Sequence, residues 1–330
     1  MKAIAYSEYG PPEVLHIREM EKPSPKDGEI LIRVHATSVN FGDITARNFG
    51  NISSSQFNMP GFLLFPARLS FGLRKPKRQV LGSELSGVVE AVGKDVKKFK
   101  PGAEIFALLG MEMGAYAEYL CLPENKVIAL KPSNLSHAEA AALPYGGAMA
   151  IGLLRKANIQ PGQKVLIIGA SGSIGAVALQ LAKYYGAEVT AVCSTPGMDY
   201  VRTLGADHVI DYTREDFTQN GRQYDLIFDV LGRSSFNRCK SSLTPKGRLV
   251  YVSFKMKQLL QMGWTALSRG RKVICAMTVE NTADLEQVRS LAETGKLKVI
   301  LDQTFPPEQA AAAHRLVENG GRKGSVVITF

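Results

Sequence analysis

The sequence predicts an α/β protein in which an all-β region precedes a doubly wound parallel sheet. From Lys164 to Met277, apolar runs typical of buried strands alternate with helix-forming stretches, which is the pattern of a parallel sheet with helical crossovers. Before Leu122, short strand-like runs follow one another between turns such as Gly10-Pro11-Pro12. The 330 residues exceed what one hydrophobic core usually serves, so we expect two domains.

The first part of the chain is predicted to form strands separated by proline and glycine signals. The predicted strands are Lys2–Tyr6, Val14–Glu19, Glu29–Val39, Glu84–Val92 and Tyr116–Leu122. The stretch Phe49–Gln79 interrupts them, and we interpret it as a long loop. A loop of this length is either a lid over a substrate or an idle surface insertion. Further on, Ser136 and Glu139 have the spacing of a capping box at the start of an alanine-rich helix.

The second part is predicted to contain six parallel strands and the helices that connect them. The predicted strands are Lys164–Ile168, Glu188–Cys193, His208–Ile210, Tyr224–Val230, Arg248–Ser253 and Lys272–Met277. The predicted helices are Ala176–Tyr185, Gly197–Leu204, Ser234–Ser242 and Lys257–Ser268. After Met277 we expect a helix at Ala283–Thr294, an extended run at Val299–Phe305, a helix at Pro307–Asn319 and a last strand at Ser325–Phe330. These last elements most simply return to the first domain.

A glycine-rich turn joins the first of these strands to its helix. Gly169 permits a tight exit from the strand, Gly172 lets backbone N–H groups approach a pyrophosphate, and Gly175 allows close packing of helix on strand. The predicted strand, turn, helix and second strand together favour a dinucleotide site over an ordinary turn. The cofactor-binding candidates in this turn are Gly169, Ser171, Gly172, Ser173, Ile174 and Gly175.

Composition indicates an ordinary globular protein. Hydrophobic residues make up 45% and charged residues 21%, and no apolar run approaches the ~18 residues of a membrane span. The amino-terminal residues Met1–Tyr6 alternate like a strand and lack the apolar core of a signal peptide, so we expect a cytoplasmic protein. The four cysteines stand far apart, which favours reduced thiols over disulfides or a thiolate zinc site.

The net charge of +10 is concentrated in two blocks without acidic residues. Residues Val230–Val279 contain ten lysines and arginines, and residues Gly61–Ser83 contain five. Solvated surface is the simplest explanation, and the sharper ones are an anionic ligand, an acidic membrane surface or nucleic acid. No nucleic-acid motif accompanies the charge, so we expect no nucleic-acid partner, and membrane contact is possible but not expected.

Short stretches spread over the whole chain match the motifs of one enzyme superfamily. They are Met1–Ala3, Val39–Asp43, Gly82–Val89, Ala141–Pro144, Gly169–Gly175, Leu204–Asp207, Ile210–Tyr212 and Gly324–Val327. On these stretches the chain resembles the medium-chain dehydrogenase/reductase superfamily and, within it, the zinc-free quinone oxidoreductase branch. The resemblance implies a GroES-like β domain in two segments, 1–126 and 276–330, and a Rossmann domain at 127–275. It also implies an active site in the cleft and a homodimer that joins two Rossmann sheets through the last strand, Lys272–Met277.

Two departures from the superfamily pattern concern zinc. Zinc-dependent members have Gly-His-Glu where this chain has Gly82-Ser83-Glu84, and a cysteine near the present Asn40–Asp43. Serine and asparagine cannot replace imidazole and thiolate on Zn²⁺, so we expect no metal. Without a Lewis acid an isolated ketone is poorly stabilised, whereas a conjugated acceptor spreads the developing charge. The expected substrate is therefore a quinone or an α,β-unsaturated carbonyl, reduced by a nicotinamide cofactor.

Few side chains qualify as catalytic donors. Asn40 matches an asparagine that relatives place near the nicotinamide, and a loop-capping asparagine is the alternative. Thr45 stands where several quinone reductases have a tyrosine, and a structural role is the favoured alternative there; Asp43 is interpreted as structural. The spacing of Tyr251 and Lys255 is that of the short-chain dehydrogenases, but those need both side chains on one helix face and Tyr251 lies in a predicted strand.

The end of the second strand predicts a preference for NADPH. An NAD-selective site usually has a carboxylate about 20 residues beyond the glycine turn, and this chain has Cys193-Ser194-Thr195 there. Ser194 can donate to a 2′-phosphate, and Tyr212 can pack beside the adenosine. Against this, several NADPH-dependent relatives have a lysine where Gly197 stands. Leu231 and Ser253, at the ends of two later predicted strands, complete the cofactor-binding candidates.

Two further expectations remain open. The basic residues Arg322 and Lys323 near the carboxyl terminus are candidates for restoring a positive field at the 2′-phosphate. The competing functional class is a cofactor-binding sensor or membrane-surface adaptor with little catalysis, since a fold does not determine an activity.

Overall fold

The computed structural model describes residues 1–320 and 323–330, and Arg322 therefore lies outside the described residues. The strands are β1 (Lys2–Ala5), β2 (His16–Glu19), β3 (Glu29–Ser38), β4 (Glu84–Val92), β5 (Glu104–Leu108), β6 (Tyr119–Pro123), β7 (Val127–Leu130), β8 (Lys164–Ile168), β9 (Glu188–Cys193), β10 (His208–Asp211), β11 (Tyr224–Asp229), β12 (Leu243–Tyr251), β13 (Lys272–Cys275), β14 (Leu301–Phe305) and β15 (Ser325–Thr329). The α-helices are α1 (Phe41–Arg47), α2 (Leu64–Phe71), α3 (His137–Ala141), α4 (Pro144–Ala157), α5 (Ser173–Tyr184), α6 (Met198–Thr203), α7 (Phe236–Cys239), α8 (Met256–Ala266), α9 (Thr282–Glu293) and α10 (Ala310–Asn319).

The chain divides into two compact units. The first comprises Met1–Ile52, Pro66–Ala148 and Glu280–Phe330, and the second Ser53–Phe65 and Met149–Val279. The expected domain boundaries, between residues 126 and 127 and between residues 275 and 276, lie elsewhere in the chain. Residues 127–148 belong to the first unit because β7 pairs with β5 and because α3 packs on β3 and β4.

The first unit is built on β-strands, as predicted, and most of them pair antiparallel. Its larger sheet has the order β14-β15-β3-β4-β5-β7, with β6 also paired to β3, and β1 and β2 form a separate hairpin pair. Only the contact of β14 with β15 is parallel among these pairs. The strand β3 pairs with β15, β4 and β6, and its alternate residues Ile30, Ile32 and Val34 are buried in one apolar cluster.

The second unit contains the predicted doubly wound sheet. Its order is β10-β9-β8-β11-β12-β13, and every pairing is parallel. Every strand contributes at least one residue to a single buried cluster, which includes Leu166, Val192, Ile210, Ile227, Leu249 and Val273. Because the strand order reverses between β8 and β11, their carboxyl ends open the crevice in which such sheets bind ligands.

The structure differs from the sequence prediction in several short elements. Neither β5 nor β7 was predicted, because runs of four or five apolar residues carry no clear periodicity. The predicted loop Phe49–Gln79 contains the helix α2, whose apolar residues lack the helical periodicity of a core-facing helix. The alanine-rich helix does begin with the predicted Ser136–Glu139 capping box, but it ends after one turn and Pro144 starts α4. Within the described residues no helix is long and apolar enough to cross a bilayer.

Candidate active site

The glycine turn between β8 and α5 has the geometry that a dinucleotide pyrophosphate requires. Gly169 has φ of +82°, in the left-handed region that favours glycine. A Cβ on Gly175 would lie 2.1 Å from the carbonyl oxygen of Gly169, so only glycine fits there. Gly172 is the N-cap of α5 and has no side chain to occupy the first-turn N–H groups. These groups, together with the helix dipole, suit a phosphate.

The loop after β11 lies against this turn. The Cγ atom of Leu231 is 3.0 Å from where a Cβ of Gly169 would stand. The buried carboxylate of Asp229 holds the loop, accepting from the backbone N–H groups of Leu231 and Gly232 at 3.0 and 2.8 Å and from the Ser234 hydroxyl at 2.6 Å. Burial raises the pKa of Asp229. Sequence reasoning missed this residue, although an aspartate at a strand end before a glycine is a signal for such a loop.

Ser253, at the end of the next strand, belongs to the same group of loops. Its hydroxyl donates to the carbonyl oxygen of Val230 at 3.2 Å. A Cβ on Gly232 would lie 2.0 Å from the Ser253 carbonyl oxygen, so the two loops touch through their backbones. The structure thus brings the predicted residues Gly169, Leu231 and Ser253 to one edge of the sheet.

The second-strand end carries the remaining cofactor candidates. Ser194 precedes a 3₁₀ turn without capping it through its side chain. A Cβ on Gly197 would lie 3.0 Å from Cβ of Ser171, which places the glycine turn beside this strand end. The Tyr212 N–H donates to the Cys193 carbonyl oxygen at 3.1 Å, and the Tyr212 side chain is 61% exposed.

Asp211 is a carboxylate at this edge that sequence reasoning passed over. It lies at the end of β10, beside the end of β9, and the Thr195 hydroxyl donates to it. Hydrogen bonds from Thr195 and Thr213 lower its pKa, so it is ionised at neutral pH. The Arg214 Nε atom lies 3.7 Å from the same carboxylate. The carboxylate is therefore present but already engaged by hydroxyl groups and one cation.

In the first unit, Asn40 caps α1. Its Oδ1 atom accepts from the N–H groups of Gly42 and Asp43 at 2.8 and 3.4 Å, and Asp43 completes a capping box. Its Nδ2 atom donates to the Ser83 hydroxyl at 2.6 Å and to Oε1 of Glu84 at 3.3 Å. The side chain is buried and its polar atoms are used within the protein. These contacts favour the capping interpretation of Asn40, which the sequence left open.

Two buried carboxyl groups accompany Asn40, and we call Asn40, Asp43, Ser83 and Glu84 the carboxyl cluster. Glu84 accepts from the Tyr145 N–H at 2.7 Å and from the Ser38 hydroxyl. Asp43 accepts from the N–H groups of Asn40 and Gly82, each at 3.1 Å. Burial raises the pKa of both carboxyl groups to about 7. Neither has a cationic partner among these contacts, so burial dominates.

Thr45 has its hydroxyl committed to its own helix. The Oγ1 atom donates to the Phe41 carbonyl oxygen at 2.7 Å, one turn earlier in α1. A threonine in mid-helix often makes this bond in place of contacts to other groups. The structure therefore offers a local role for Thr45.

Tyr145 is a candidate that the sequence reasoning missed. It follows Pro144 at the start of α4, and its backbone binds Glu84. Burial raises the pKa of its phenol, helped by the negative charges of Glu84, Asp43 and Glu280. It would therefore remain a proton donor throughout the neutral range. The stretch Ala141–Pro144, which directly precedes Tyr145, could have drawn attention to this residue. The sequence analysis used that stretch only for the resemblance to the superfamily.

The positions of the absent zinc ligands hold groups that bind each other. Ser83 and Asn40 are joined by a hydrogen bond, and neither is a thiolate or an imidazole. Among residues 1–320 and 323–330, no group of three or more His, Cys, Asp or Glu side chains could hold a metal ion. The short-chain dehydrogenase motif needs Tyr251 and Lys255 on one helix face, and the structure does not provide this. Tyr251 lies in the strand β12, and its hydroxyl donates to the Ser234 carbonyl oxygen at 3.2 Å.

Comparison with known proteins adds to this geometry. Residues 26–132 match the family described as the alcohol dehydrogenase GroES-like domain, and residues 204–328 match the family described as zinc-binding dehydrogenase. The chain is 32% identical to the mitochondrial NAD(P)H oxidoreductase RTN4IP1 of Homo sapiens, over 99% of this chain and 89% of that protein. It is 30% identical to the chloroplastic NADPH-dependent alkenal/one oxidoreductase of Arabidopsis thaliana, over 99% of this chain and 79% of that protein.

Solved structures show the same fold. The quinone oxidoreductase from Coxiella burnetii superposes with a TM-score of 0.83 at 28% identity, covering 100% of this chain and 99% of that one. The likeness extends over the GroES-like β domain and the Rossmann sheet, both of which were predicted.

Proposed function

This chain belongs to the medium-chain dehydrogenase/reductase superfamily, and on that premise we propose that it is a zinc-independent, NADPH-dependent reductase of quinones or α,β-unsaturated carbonyls. One observation carries the proposal. The two positions that hold a thiolate and an imidazole in zinc-dependent members hold an amide and a hydroxyl that are hydrogen-bonded to each other. The names of two relatives, an alkenal/one oxidoreductase and a quinone oxidoreductase, support the substrate class.

Bound at the glycine turn, the nicotinamide cofactor supplies the hydride. The backbone N–H groups at the start of α5 would hold its pyrophosphate, and Leu231 and Ser253 lie at the same edge of the sheet. Hydrogen-bond donors stabilise the charge that develops on the oxygen of a conjugated acceptor, each by a few kcal/mol.

Ser83 is the donor that the carboxyl cluster supports best. The Ser83 oxygen accepts a hydrogen bond from Asn40. The Ser83 hydroxyl hydrogen takes no part in that bond, so it can be donated to the substrate oxygen. Both amide hydrogens of Asn40 are directed to Ser83 and Glu84. We therefore propose that Asn40 positions Ser83, while Thr45 stays a weaker candidate because its hydroxyl is bound within α1.

The preference for NADPH is the second element of the proposal. The Ser194 hydroxyl is not used for capping, and a serine does not repel a 2′-phosphate as a carboxylate would. Asp211 lies nearby, but Thr195, Thr213 and the Arg214 guanidinium occupy its oxygens. The word NADPH in the name of the Arabidopsis thaliana relative agrees with this choice.

The preference is tested by measuring kcat/KM with NADPH and with NADH. Ser194→Asp should lower the ratio of the two by at least about tenfold, because a carboxylate set against phosphate is repulsive. The exposed Ser241, which follows α7, provides the matched control, and Ser241→Asp should leave the ratio unchanged. Equal or higher efficiency of the wild type with NADH would refute the preference.

The activity itself is tested by cofactor oxidation against a panel of quinones and enones, together with metal analysis of the purified protein. We expect turnover without zinc. Stoichiometric zinc would contradict zinc independence. Tight cofactor binding without turnover on any acceptor would instead support the sensor or adaptor alternative.

A homodimer through β13 completes the proposal. This strand ends the sheet and pairs with β12 on one side, so it presents an edge that a second copy could extend. Sedimentation at micromolar concentration should give a dimer, and a monomer would overturn this part.

A further inference from the structure

The loop that follows β10 lies against the end of β9, where an NADPH site has its 2′-phosphate. The two strands pair in parallel, with Asp211 opposite Cys193. The Tyr212 N–H donates to the Cys193 carbonyl oxygen at 3.1 Å, and the Thr195 hydroxyl donates to Oδ2 of Asp211. Ser194 stands between these two contacts in the chain. The residues that follow Asp211 are therefore held beside Ser194.

Arg214 is the cation that this loop carries. Its backbone N–H donates to the Asp211 carbonyl oxygen at 3.0 Å, which closes a tight turn. Its Nε atom lies 3.7 Å from Oδ2 of Asp211, the same oxygen that receives the Thr195 hydroxyl. The turn and the carboxylate together hold the guanidinium next to the end of β9.

The Arg214 guanidinium is available to an anion. Among residues 1–320 and 323–330, Asp211 is its only ion-pair partner, and its side chain makes no hydrogen bond. The side chain is 77% exposed, and an ion pair that is this open adds little to stability. The fold therefore gives no reason for an arginine here. An arginine that faces a carboxylate through Nε keeps both terminal nitrogens for the fork that matches a phosphate.

Other cations of the second unit are engaged or lie on more distant strands. Arg202 on α6 donates to Asp199 at 2.8 Å. The ten lysines and arginines of Val230–Val279 follow β11, and β8 separates β11 from β9 in the sheet. Gly197, where several NADPH-dependent relatives have a lysine, provides no charge. Arg214 follows the strand that directly neighbours β9, so it is the cation best placed for the 2′-phosphate.

We propose that Arg214 selects NADPH over NADH, its guanidinium donating to the 2′-phosphate beside the Ser194 hydroxyl. The nearby carboxylate of Asp211 does not reject the phosphate, because Thr195 and Thr213 donate hydrogen bonds to it and the Arg214 charge opposes its own. The 2′-hydroxyl of NADH is neutral and gains little from the cation. This proposal rests on the proposed function, because it presupposes a nicotinamide cofactor at the glycine turn, and it assigns the selectivity to a residue that sequence reasoning missed.

Calorimetric titration of the wild type and Arg214→Gln with each cofactor tests the assignment without turnover. Arg214→Gln should weaken NADPH binding at least about tenfold and leave NADH within about twofold, because only a charge-assisted bond to the phosphate is lost. Adenosine 2′,5′-bisphosphate carries that phosphate without the nicotinamide and should lose affinity by a similar factor, whereas adenosine 5′-monophosphate should not. Added salt should weaken NADPH binding to the wild type more than to the variant.

Arg222→Gln is the matched control, because Arg222 is also exposed and precedes the amino end of β11, at the opposite end of the sheet. It should bind both cofactors like the wild type. A wild type that prefers NADPH and an Arg214→Gln protein that keeps this preference would overturn the assignment of Arg214 and leave the proposed function intact. Equal weakening of both cofactors by Arg214→Gln would also overturn it. A wild type without any preference would instead refute the NADPH part of the proposed function, and the role of Arg214 with it.

Discussion

The cofactor edge of the second unit and the carboxyl cluster of the first unit are built on different physical grounds. At the cofactor edge, backbone groups are the predicted binding groups, Gly169 is needed because of its φ angle, and Gly175 is needed because of a close approach. In the carboxyl cluster, side chains bind side chains, and two buried acids have a pKa of about 7. The structure of the cofactor edge is therefore sensitive to added side-chain volume. The carboxyl cluster is sensitive to the charge and the solvation of its side chains.

The difference determines how each region responds to change. A backbone site tolerates exchange of its side chains but fails when a Cβ enters it. A buried network of polar side chains tolerates small changes in volume but fails when one partner is removed, because the others are left unsatisfied. The following variants test this contrast, from the largest expected effect to the smallest.

Gly175→Ala tests the spatial requirement at the cofactor edge. The new Cβ would lie 2.1 Å from the Gly169 carbonyl oxygen and 2.9 Å from Cα of Ala170, both of which are backbone atoms that cannot move cheaply. We expect a loss of about 3 kcal/mol in the free energy of unfolding together with loss of cofactor binding. Denaturant unfolding and cofactor titration measure the two effects.

Gly172→Ala is the matched comparison within the same turn. Its Cβ would meet only the Gly169 carbonyl oxygen, at 3.3 Å, so the fold should lose less than about 1 kcal/mol. Cofactor affinity should still fall at least about tenfold, because the pyrophosphate approaches the backbone here. Unchanged affinity in a folded Gly172→Ala protein would remove this turn from the cofactor site.

Glu84→Gln tests the charge requirement in the carboxyl cluster. The pKa of Glu84 is about 7 in the folded protein and near its ordinary value of 4.5 when unfolded. The folded state therefore holds a proton that the unfolded state has lost, and stability falls as pH rises from 4.5 to 7. Each pH unit in that window contributes about 1.4 kcal/mol, so the wild type should lose about 3 kcal/mol relative to Glu84→Gln across it.

The difference between the two proteins is the quantity to measure, because two other groups titrate in the same window, Asp43 with the same sign and His314 with the opposite sign. Burial and the Arg47 charge lower its pKa to about 3, so its contribution is lost as pH falls below 6.5. Glu8→Gln, at an exposed position, is the control and should follow the wild type at every pH. Parallel stability curves for wild type and Glu84→Gln would mean that Glu84 is ionised when folded.

The contrast also explains which features the sequence could predict. Most of the parallel strands were predictable as apolar runs next to helix-forming stretches. The glycine turn was predictable because its residues are adjacent in the chain. Asn40 and Glu84 are 44 residues apart and meet only after β3 and β4 pair, so nothing local signalled their network. The bounds of the two units differ from the expected domain bounds for a similar reason, since β7 joins the first unit through its pairing with β5 and not by its own pattern.

Ser83→Ala and Asn40→Ala separate chemistry from structure in the cluster. Ser83→Ala removes the proposed donor, so kcat should fall about tenfold or more. It also leaves one buried Asn40 amide hydrogen without its partner, which should cost about 1 to 3 kcal/mol of stability. Asn40→Ala removes the cap of α1 and should cost about 1 to 2 kcal/mol of stability. Cofactor affinity should be kept in both. A Ser83→Ala protein with unchanged kcat would exclude Ser83 as the donor.

Thr45→Val should have the smallest effect of all. The hydroxyl donates to the Phe41 carbonyl oxygen inside α1, and that carbonyl already takes part in the helix, so removing the donor leaves no buried group unsatisfied. Valine keeps the branched shape, and the stability should change by less than about 0.5 kcal/mol. If the hydroxyl only serves the helix, kcat and KM stay within twofold of the wild type for both a quinone and an enone. A tenfold fall in kcat without a change in stability would instead show that the Thr45 hydroxyl exchanges its hydrogen bond to the Phe41 carbonyl oxygen for one to the substrate. Thr45 would then be a catalytic donor beside Ser83.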